Sequence, residues 1–246
     1  MDPREVEYYH QFAQLWWDAS GPFWPLHRLN NLRQGYIKEK LCAHFGLNGH
    51  EERPLQGLTV LDVGCGGGIL AESLATLGAT VSGIDVVAKN IAIATHHAEQ
   101  SGLRVHYELT TVESLASSGS QFDVILNMEV VEHVNDLESF MAASCRLMRP
   151  GGMMFVATIN RTLLAWLIAI VAAEYILRWM PKGTHHLSMF RKPAEIRSLL
   201  AANGLMVKDL VGVGVNPLGK SMFLTRLKSV NYMLTAVHAL GRPPTG

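Results

Sequence analysis

The feature that most constrains the fold of this chain is a glycine-rich turn between an apolar strand and a helix. The segment "LTVLDVG" begins at Leu58, has the pattern of a buried strand, and continues into "CGGG" and the helical pattern "ILAESLATLG". The alternation of strand and helix then continues through "ATVSGID", "AKNIAIATHHAEQSG", "VHYELT", "FDVILNM", "DLESFMAASCRLM" and "MMFVATIN". This alternation indicates a parallel sheet whose crossover connections are helices.

The whole chain is expected to form one α/β domain over residues 1–246, a length suited to a single domain with additions. We predict a doubly wound, mostly parallel sheet of seven strands, with "LMVKDLVGV" and "SMFLTRL" as its last two strands. Residues 1–50 are expected to form a helical cap or lid, in which residues 19–31 are a loop because of Gly21, Pro22 and Pro25. An apolar insertion is expected at 161–190, after the fifth strand.

Composition excludes several classes of protein. Lys and Arg total 21 and Asp and Glu total 21, so the formal net charge is zero and no basic surface for nucleic acid is expected. Three separated cysteines form neither a disulfide framework nor a zinc pattern, which favours a reducing compartment. The start "MDPREVEYYH" has neither the apolar core of a secretory signal nor the arginine-rich character of a transit peptide. An intracellular protein is the expectation.

The glycine loop and a following acid predict a nucleoside cofactor. Gly64, Gly66 and Gly68 would let the backbone approach a ligand closely, and Asp85 ends the second strand, where it can accept hydrogen bonds from both ribose hydroxyls. The loop spacing is G-x-G-G-G rather than the dinucleotide pattern G-x-G-x-x-G. Asp62, just before the loop, would repel a pyrophosphate but could face an ammonium group. The pattern therefore favours S-adenosylmethionine over a nicotinamide dinucleotide.

Several separate motifs then indicate a family. "LDVGCGGG", "GID" and "FDVILNMEVVEHV" together resemble class I S-adenosylmethionine-dependent methyltransferases. "WWD", "GPFWPLHRLNNLRQGYI", "VEHV", "LMRPGGMMFVATINRT", "AEYILRWMPKGTH" and "VNYMLTA" resemble the O-methyltransferases of ubiquinone biosynthesis, from about Trp16 to Ala236. The resemblance implies O-methylation of a polyprenylated catechol, and then of the 3-hydroxyl of the demethylated quinol.

The resemblance also implies which residues bind the cofactor. They are Arg33, Gly64, Asp85 and Met128. Arg33 would grip the carboxylate of the cofactor with two parallel hydrogen bonds, and Met128 would pack on the adenine as a soft apolar wall. Without the resemblance, Arg33 would be interpreted as a surface charge and Met128 as a core residue at a strand end.

The family motif "E..EH" falls on Glu129, Glu132 and His133, and its role is open between three interpretations. In eukaryotic-type members this triad is taken as a magnesium site, although magnesium prefers oxygen ligands. Without a metal, His133 could act as general base on the acceptor hydroxyl. In the third interpretation, Glu132 and His133 simply begin a helix. His185, in "PKGTH", is a weaker candidate for contact with the substrate.

The most apolar stretch of the chain runs from Thr162 to Met180. It contains Glu174, and only the residues from Leu163 to Ala173 are uninterrupted by charge, too few for a spanning helix. A buried core helix is the plainer alternative. Because a polyprenyl quinone resides in the bilayer, we expect this stretch to contact the membrane surface peripherally.

The resemblance also implies a substrate, partners and a location in the cell. The substrate is a polyprenylated catechol or quinol, and other quinone-biosynthesis proteins are candidate partners. The site would be the cytoplasmic face of a bacterial membrane, or the mitochondrial matrix side in a eukaryote. Alternatives are a methyltransferase for another small phenolic or lipid acceptor, an oxidoreductase that uses NAD, and a non-enzymatic scaffold at the membrane.

Overall fold

The computed structural model describes residues 16–21, 23–165, 190–216 and 221–239. The chain divides into two compact units, Met1–Leu115 and Ala116–Gly246, and the boundary falls within a short helix. The described residues form seven helices and eight strands. The helices are α1 (Trp24–Phe45), α2 (Ile69–Thr76), α3 (Ala88–Gln100), α4 (Val112–Ser117), α5 (Leu137–Arg146), α6 (Leu163–Ala165) and α7 (Pro193–Ala202). The strands are β1 (Thr59–Val63), β2 (Thr80–Asp85), β3 (Val105–Leu109), β4 (Phe122–Met128), β5 (Met148–Ile159), β6 (Leu205–Asn216), β7 (Ser221–Thr225) and β8 (Asn231–His238).

The first unit contains a parallel sheet in the order β3-β2-β1. The register pairs Val63 with Ile84 and Asp85 with Leu109, so the carboxyl ends of the three strands lie at one edge. Val60 and Leu61 are fully buried, which explains the continuous apolar pattern of a strand covered on both faces. The predicted strands and helices from Leu58 to Gly102 are confirmed, and they bring the glycine loop and Asp85 to the same edge.

The second unit contains strands in the order β4-β5-β8-β6-β7. Strands β4 and β5 are parallel, whereas β5–β8, β8–β6 and β6–β7 are antiparallel. Strand β8 is one strand more than the seven expected. It inserts between β5 and β6, and six of its eight residues are buried. The sequence pattern predicted "SMFLTRL" as the last strand. Strand β8 follows that segment in the chain, after a turn with basic residues.

Two local expectations were wrong. Residues 24–31 are helical rather than part of a loop, because Pro25 occupies the first turn of α1, where a missing N–H costs no hydrogen bond. The "RPGG" segment, which precedes the predicted strand "MMFVATIN", lies within β5 as an irregularity. The β4 partners jump from Phe122–Met148 to Val124–Met153, and Gly151 has a φ of 80°.

The apolar stretch from Thr162 to Met180 lies mostly outside the described residues. Its start, Leu163–Ala165, forms the short helix α6. Among the described helices, none is both long and apolar enough to cross a membrane. Residues 166–189 of the predicted insertion at 161–190 are not described, and neither are residues 1–15 and 22 of the predicted cap.

Candidate active site

The glycine loop joins β1 to α2 and is fastened to the end of β2. Gly64, Gly66 and Gly68 have φ values of 70°, 54° and 87°, the left-handed region that glycine enters without steric cost. The Gly64 N–H donates to the carbonyl of Ile84 over 2.8 Å, and the Gly66 N–H donates to Asp85 Oδ2 over 3.0 Å. The predicted strand–turn–helix context of this loop is therefore present, and its backbone is held in one conformation.

Asp85 is a buried carboxylate fixed by three donors at the sheet edge. Its Oδ1 accepts from the Val87 N–H over 2.8 Å, and its Oδ2 accepts from the Gly66 N–H and from Asn90 Nδ2, the latter over 3.2 Å. An ionised carboxylate has about four lone-pair sites. Asp85 therefore retains acceptor capacity in a rigid orientation, as the prediction of a ribose-binding acid requires.

Asp62 and Arg33 are an acidic and a basic side chain that lie buried in the first unit. Both are buried, with exposures of 3% for Asp62 and 5% for Arg33. Burial raises the pKa of the Asp62 carboxyl to about 7, the Arg33 guanidinium opposes that shift, and the Asp85 carboxylate adds to it. A buried carboxyl near a buried guanidinium complements the ammonium and carboxylate of an amino acid, which is the head group of S-adenosylmethionine.

Cys65 lies in the same loop and is not suited to nucleophilic chemistry. The thiol is buried, and burial together with the Asp62 and Asp85 carboxylates raises its pKa. A thiol held in the protonated form is a poor nucleophile. It supplies a small side chain in the loop.

His97 lies in a partly buried cluster with Trp17 and Glu72. Its ring stacks on Trp17 with centroids 3.5 Å apart and planes at 2°, and its Nδ1 lies 2.8 Å from Glu72 Oε2. Burial raises the pKa of Glu72 to about 8 and lowers the pKa of His97. Both shifts favour the uncharged forms of the two side chains, and the Trp17 ring lies against the imidazole.

In the second unit, the motif "E..EH" follows β4 in a strained turn. Glu129 has a φ of 55° and is the one non-glycine residue with positive φ among those described. Its N–H donates to the Ala157 carbonyl over 2.9 Å, which continues the β4–β5 pairing by one residue. Such backbone strain persists where the surrounding structure enforces it, and it is common at functional sites.

Glu132 is buried beside Glu129. It is 3% exposed and accepts a hydrogen bond of 2.9 Å from Thr158 Oγ1. Burial, the charge of Glu129 and a hydrogen bond between the two carboxyls together raise the pKa of Glu132 to about 9. Glu132 therefore favours its protonated form, since a buried carboxyl beside a second carboxyl group is costly to ionise.

His133 is exposed and does not begin a helix. Its N–H donates to the Val130 carbonyl over 2.9 Å within a turn, and α5 begins only at Leu137, where Asp136 caps it by accepting from the Ser139 N–H. The interpretation that Glu132 and His133 open a helix is therefore wrong. Stabilisation of a helix N-terminus therefore does not explain why Glu132 and His133 occupy these positions.

The residues fit a metal only in part. In the part of the chain that the structure describes, no three His, Cys, Asp or Glu side chains are gathered closely enough to hold a metal ion. Glu129 and Glu132 do form a pair of oxygen donors, the ligand type that magnesium prefers. The magnesium role of Glu129, Glu132 and His133 stays a prediction, and its support is this carboxyl pair.

Sequence reasoning missed the side chain that holds this turn. Arg191 makes two long hydrogen bonds of 3.4 Å, from Nε to the Val131 carbonyl and from Nη2 to the Val134 carbonyl. The hydroxyl of buried Tyr232 donates to the Arg191 carbonyl over 3.1 Å. No local pattern links positions 131 and 191, so only the fold reveals this support. His185 lies outside the described residues.

The chain is similar to known methyltransferases in sequence and in fold. A family model described as a methyltransferase domain matches residues 33–210. The chain is 50% identical over 236 residues to proteins named ubiquinone biosynthesis O-methyltransferase from Brucella anthropi and Rhizobium etli, with 96% of this chain and 95% of each relative covered. Among solved structures, magnesium protoporphyrin IX methyltransferase from Synechocystis with bound S-adenosylhomocysteine is similar, with a TM-score of 0.61, 20% identity, and coverage of 86% of this chain and 84% of that one.

The pKa of Asp62 generates a prediction for ligand binding. An ammonium group is paired best by ionised Asp62, so binding of S-adenosylhomocysteine must release the proton that Asp62 holds below pH 7. We expect the affinity to rise by up to about tenfold per pH unit from pH 5.5 toward pH 7 and then to level off. Titration calorimetry across this range measures the slope.

Asp62→Asn is the matched control for that titration. The variant should bind more weakly at pH 7.5 and should lose most of the pH dependence, because the amide does not titrate. It should also be more stable to heat above pH 7, where the native protein buries a charge, and this advantage should shrink as pH falls toward the unfolded pKa near 4. Identical pH profiles for the two proteins would contradict the assignment of Asp62 to the ammonium.

Proposed function

The chain belongs to the ubiquinone biosynthesis O-methyltransferases, and we propose that it transfers the methyl group of S-adenosylmethionine to a hydroxyl of a polyprenylated catechol or demethylubiquinol. The observation that carries this proposal is the 50% identity to relatives of that name over nearly the full length of both chains. The intact glycine loop with Asp85 at the adjacent strand end supports the cofactor assignment.

Each cofactor residue has a proposed task. Asp85 accepts hydrogen bonds from the ribose hydroxyls, and the backbone of Gly64, Gly66 and Gly68 allows close approach. Arg33 binds the carboxylate of the amino-acid head, and Asp62 pairs with its ammonium. Met128, buried at the end of β4, is proposed to pack on the adenine.

The chemistry is displacement at the methyl carbon of a sulfonium. An oxygen lone pair of the acceptor forms the new carbon–oxygen bond, the carbon–sulfur bond breaks with its electron pair on sulfur, and the hydroxyl proton must leave. A phenol with a pKa of about 10 is largely neutral at pH 7, so removing this proton is the task of the protein. We propose that exposed His133 accepts it as general base, supported by the Glu129–Glu132 pair.

In a second version of this proposal, a divalent cation would be held by the Glu129–Glu132 carboxyl pair. When bound, it would supply positive charge that stabilises the phenolate oxygen of the acceptor. Glu129 and Glu132 would hold it through carboxylate oxygens, once Glu132 had lost its proton, and His133 would join them only after a movement, because the three side chains are not gathered closely enough in the described structure. Both versions keep the same three residues, so the requirement for metal must be measured.

The decisive assay uses S-adenosylmethionine labelled in its methyl group with short-tailed demethylubiquinol. We expect the label in the methoxy group of the quinol, with S-adenosylhomocysteine as the other product. The assay is run with magnesium and with a chelator, because retained activity in chelator would assign proton transfer to His133 without a metal. Faster methylation of a catechol without a prenyl tail would shift the substrate to small phenols, and hydride transfer with NAD in place of methyl transfer would overturn the proposal.

Variants of the second-unit triad should separate chemistry from cofactor binding. Glu129→Gln, Glu132→Gln and His133→Asn are each expected to lower kcat by about 100-fold or more, in the range of general acid–base contributions. The affinity for S-adenosylhomocysteine should change less than about threefold, because none of these residues is proposed to bind it. Calorimetry and single-turnover assays give the two values. Lost affinity with normal turnover at saturation would refute these roles.

We also propose peripheral membrane contact through residues 162–180, at the cytoplasmic face of a bacterial membrane or the matrix side in a eukaryote. Support comes from the start of the segment, where Leu163 is 72% exposed. The turn between β7 and β8 carries Leu227, which is 74% exposed. Insertion of such exposed leucines into the headgroup region of a bilayer is favourable, by about 25 cal/mol per Å² of apolar surface removed from water.

Hydrogen bonds tie these two leucine-bearing segments together. Asn160 Nδ2 donates to the Lys228 carbonyl over 2.7 Å, and Thr162 Oγ1 donates to the Ser229 carbonyl. The cationic residues Arg226 and Lys228 flank Leu227 on either side. Apolar side chains bordered by cations match a bilayer that contains anionic lipid. Other quinone-biosynthesis proteins remain proposed partners.

Flotation with liposomes tests the membrane proposal. The protein should float with vesicles that contain anionic lipid, and less with neutral vesicles at the same salt concentration. Leu227→Glu, and separately Leu167→Glu with Ile170→Glu, should reduce the floated fraction several-fold while keeping the affinity for S-adenosylhomocysteine. Met206→Glu, at a 38% exposed position on β6, is the control and should float normally. Equal flotation of all forms would remove both segments from the contact.

A further inference from the structure

We propose that Trp16 is a cofactor-binding residue whose indole N–H donates a hydrogen bond to S-adenosylmethionine over the glycine loop. The inference deepens the proposed function, on which it depends for the identity of the ligand. It concerns the first unit alone and rests on the contacts of Trp16.

The first observation is that the Trp16 indole lies directly on the loop. A Cβ placed on Gly67 would come within 2.1 Å of Trp16 Nε1, and the three atoms nearest to that Cβ all belong to Trp16. A Cβ on Gly66 would lie 3.2 Å from the edge of the same ring. Gly67 does not have the positive φ of Gly66 and Gly68. Its lack of a side chain is therefore explained by the indole and not by the backbone.

The second observation is the state of the indole N–H. Trp16 Nε1 is buried and has no hydrogen-bond partner among the described residues. A buried donor that lacks a partner costs about 1–3 kcal/mol, so such groups are rare unless a ligand or water completes them. This donor lies against the loop where the cofactor is proposed to bind.

The third observation is that Trp16 is held in place from several sides. Its carbonyl lies 3.0 Å from His27 Nε2 on α1, the helix that also carries Arg33. Its ring contacts Phe23, with centroids 4.6 Å apart. The next residue, Trp17, stacks on His97. An indole fixed at both its backbone and its neighbour loses little further freedom when it binds a ligand, which favours tight binding.

The cofactor offers two kinds of acceptor to this donor, the carboxylate of its amino-acid head and its ribose hydroxyls. Both are oxygen acceptors, and both belong to a ligand proposed to lie along residues 64–68. A probe without the amino-acid head, 5′-methylthioadenosine, distinguishes them. Plain packing of the cap is the competing explanation, and it predicts that only the ring matters and not its N–H.

Trp16→Phe is the direct test, because it keeps an aromatic ring and removes the donor. We expect binding of S-adenosylhomocysteine by calorimetry to weaken about two- to tenfold for a hydroxyl acceptor, and by more than tenfold for a carboxylate. If the carboxylate is the acceptor, 5′-methylthioadenosine binds the variant as well as the native protein. If a ribose hydroxyl is the acceptor, both ligands weaken together. Trp24→Phe is the matched control and should leave both affinities unchanged.

Gly67→Ala supplies an independent test through a double-mutant cycle. In the native background, the added methyl must push the indole away, so S-adenosylhomocysteine should bind as weakly as it does to Trp16→Ala. In the Trp16→Ala background, Gly67→Ala should cost almost nothing more, because its nearest obstruction has gone. Additive losses would mean that Gly67 serves the cofactor directly, and they would overturn this explanation of the glycine.

The two levels of the proposal fail differently. If the native protein does not bind S-adenosylhomocysteine, the proposed function itself is wrong. If the native protein binds and Trp16→Phe binds equally well to both ligands, the function stands and the role of Trp16 is refuted. Circular dichroism and the melting temperature of each ligand-free variant confirm that the comparison is made on folded protein.

Discussion

The hydrogen bond from the Gly66 N–H to Asp85 Oδ2 is the interaction on which the rest of the cofactor site depends. It joins the loop after β1 to the end of β2, two segments that are neighbours only because their strands pair in parallel. The same carboxylate also accepts from Val87 and Asn90 at the start of α3, so one side chain sets the position of the loop and of the next helix. A rigid loop can then present its bare glycines, and Trp16 can lie against them.

The candidate functional residues of this protein include carboxyl groups whose burial costs stability. Asp62, Glu72 and Glu132 are all buried carboxyls whose pKa values are raised to about 7, 8 and 9. Each costs stability when it ionises, because water solvates the charge better than the protein interior does. Glu129 adds backbone strain beside one of them. Such costs are commonly met at sites where a ligand or substrate later supplies the missing partner.

The sequence pattern predicted correctly those strands, helices and turns that depend on residues close together in the chain. The strands and helices of the first unit, the glycines that end α2 and α3, and the context of Asp85 all follow from local periodicity and turn chemistry. Strand β8 was missed because its place between β5 and β6 depends on pairing with distant strands. The start of α1 was missed because Pro25 was interpreted as a loop residue, although it is acceptable in a first turn.

The sequence by itself determined the alternating α/β plan, the glycine loop with its acid, and the methyltransferase family, because each is written in residues that are close together in the chain. Tertiary structure alone decided that Arg191 holds the turn of Glu132, that Thr158 donates a hydrogen bond to buried Glu132, and that Trp16 covers Gly67. The physical reason is distance along the chain. Burial, charge coupling and side-chain contact arise between segments dozens of residues apart, and only folding brings them within reach of one another.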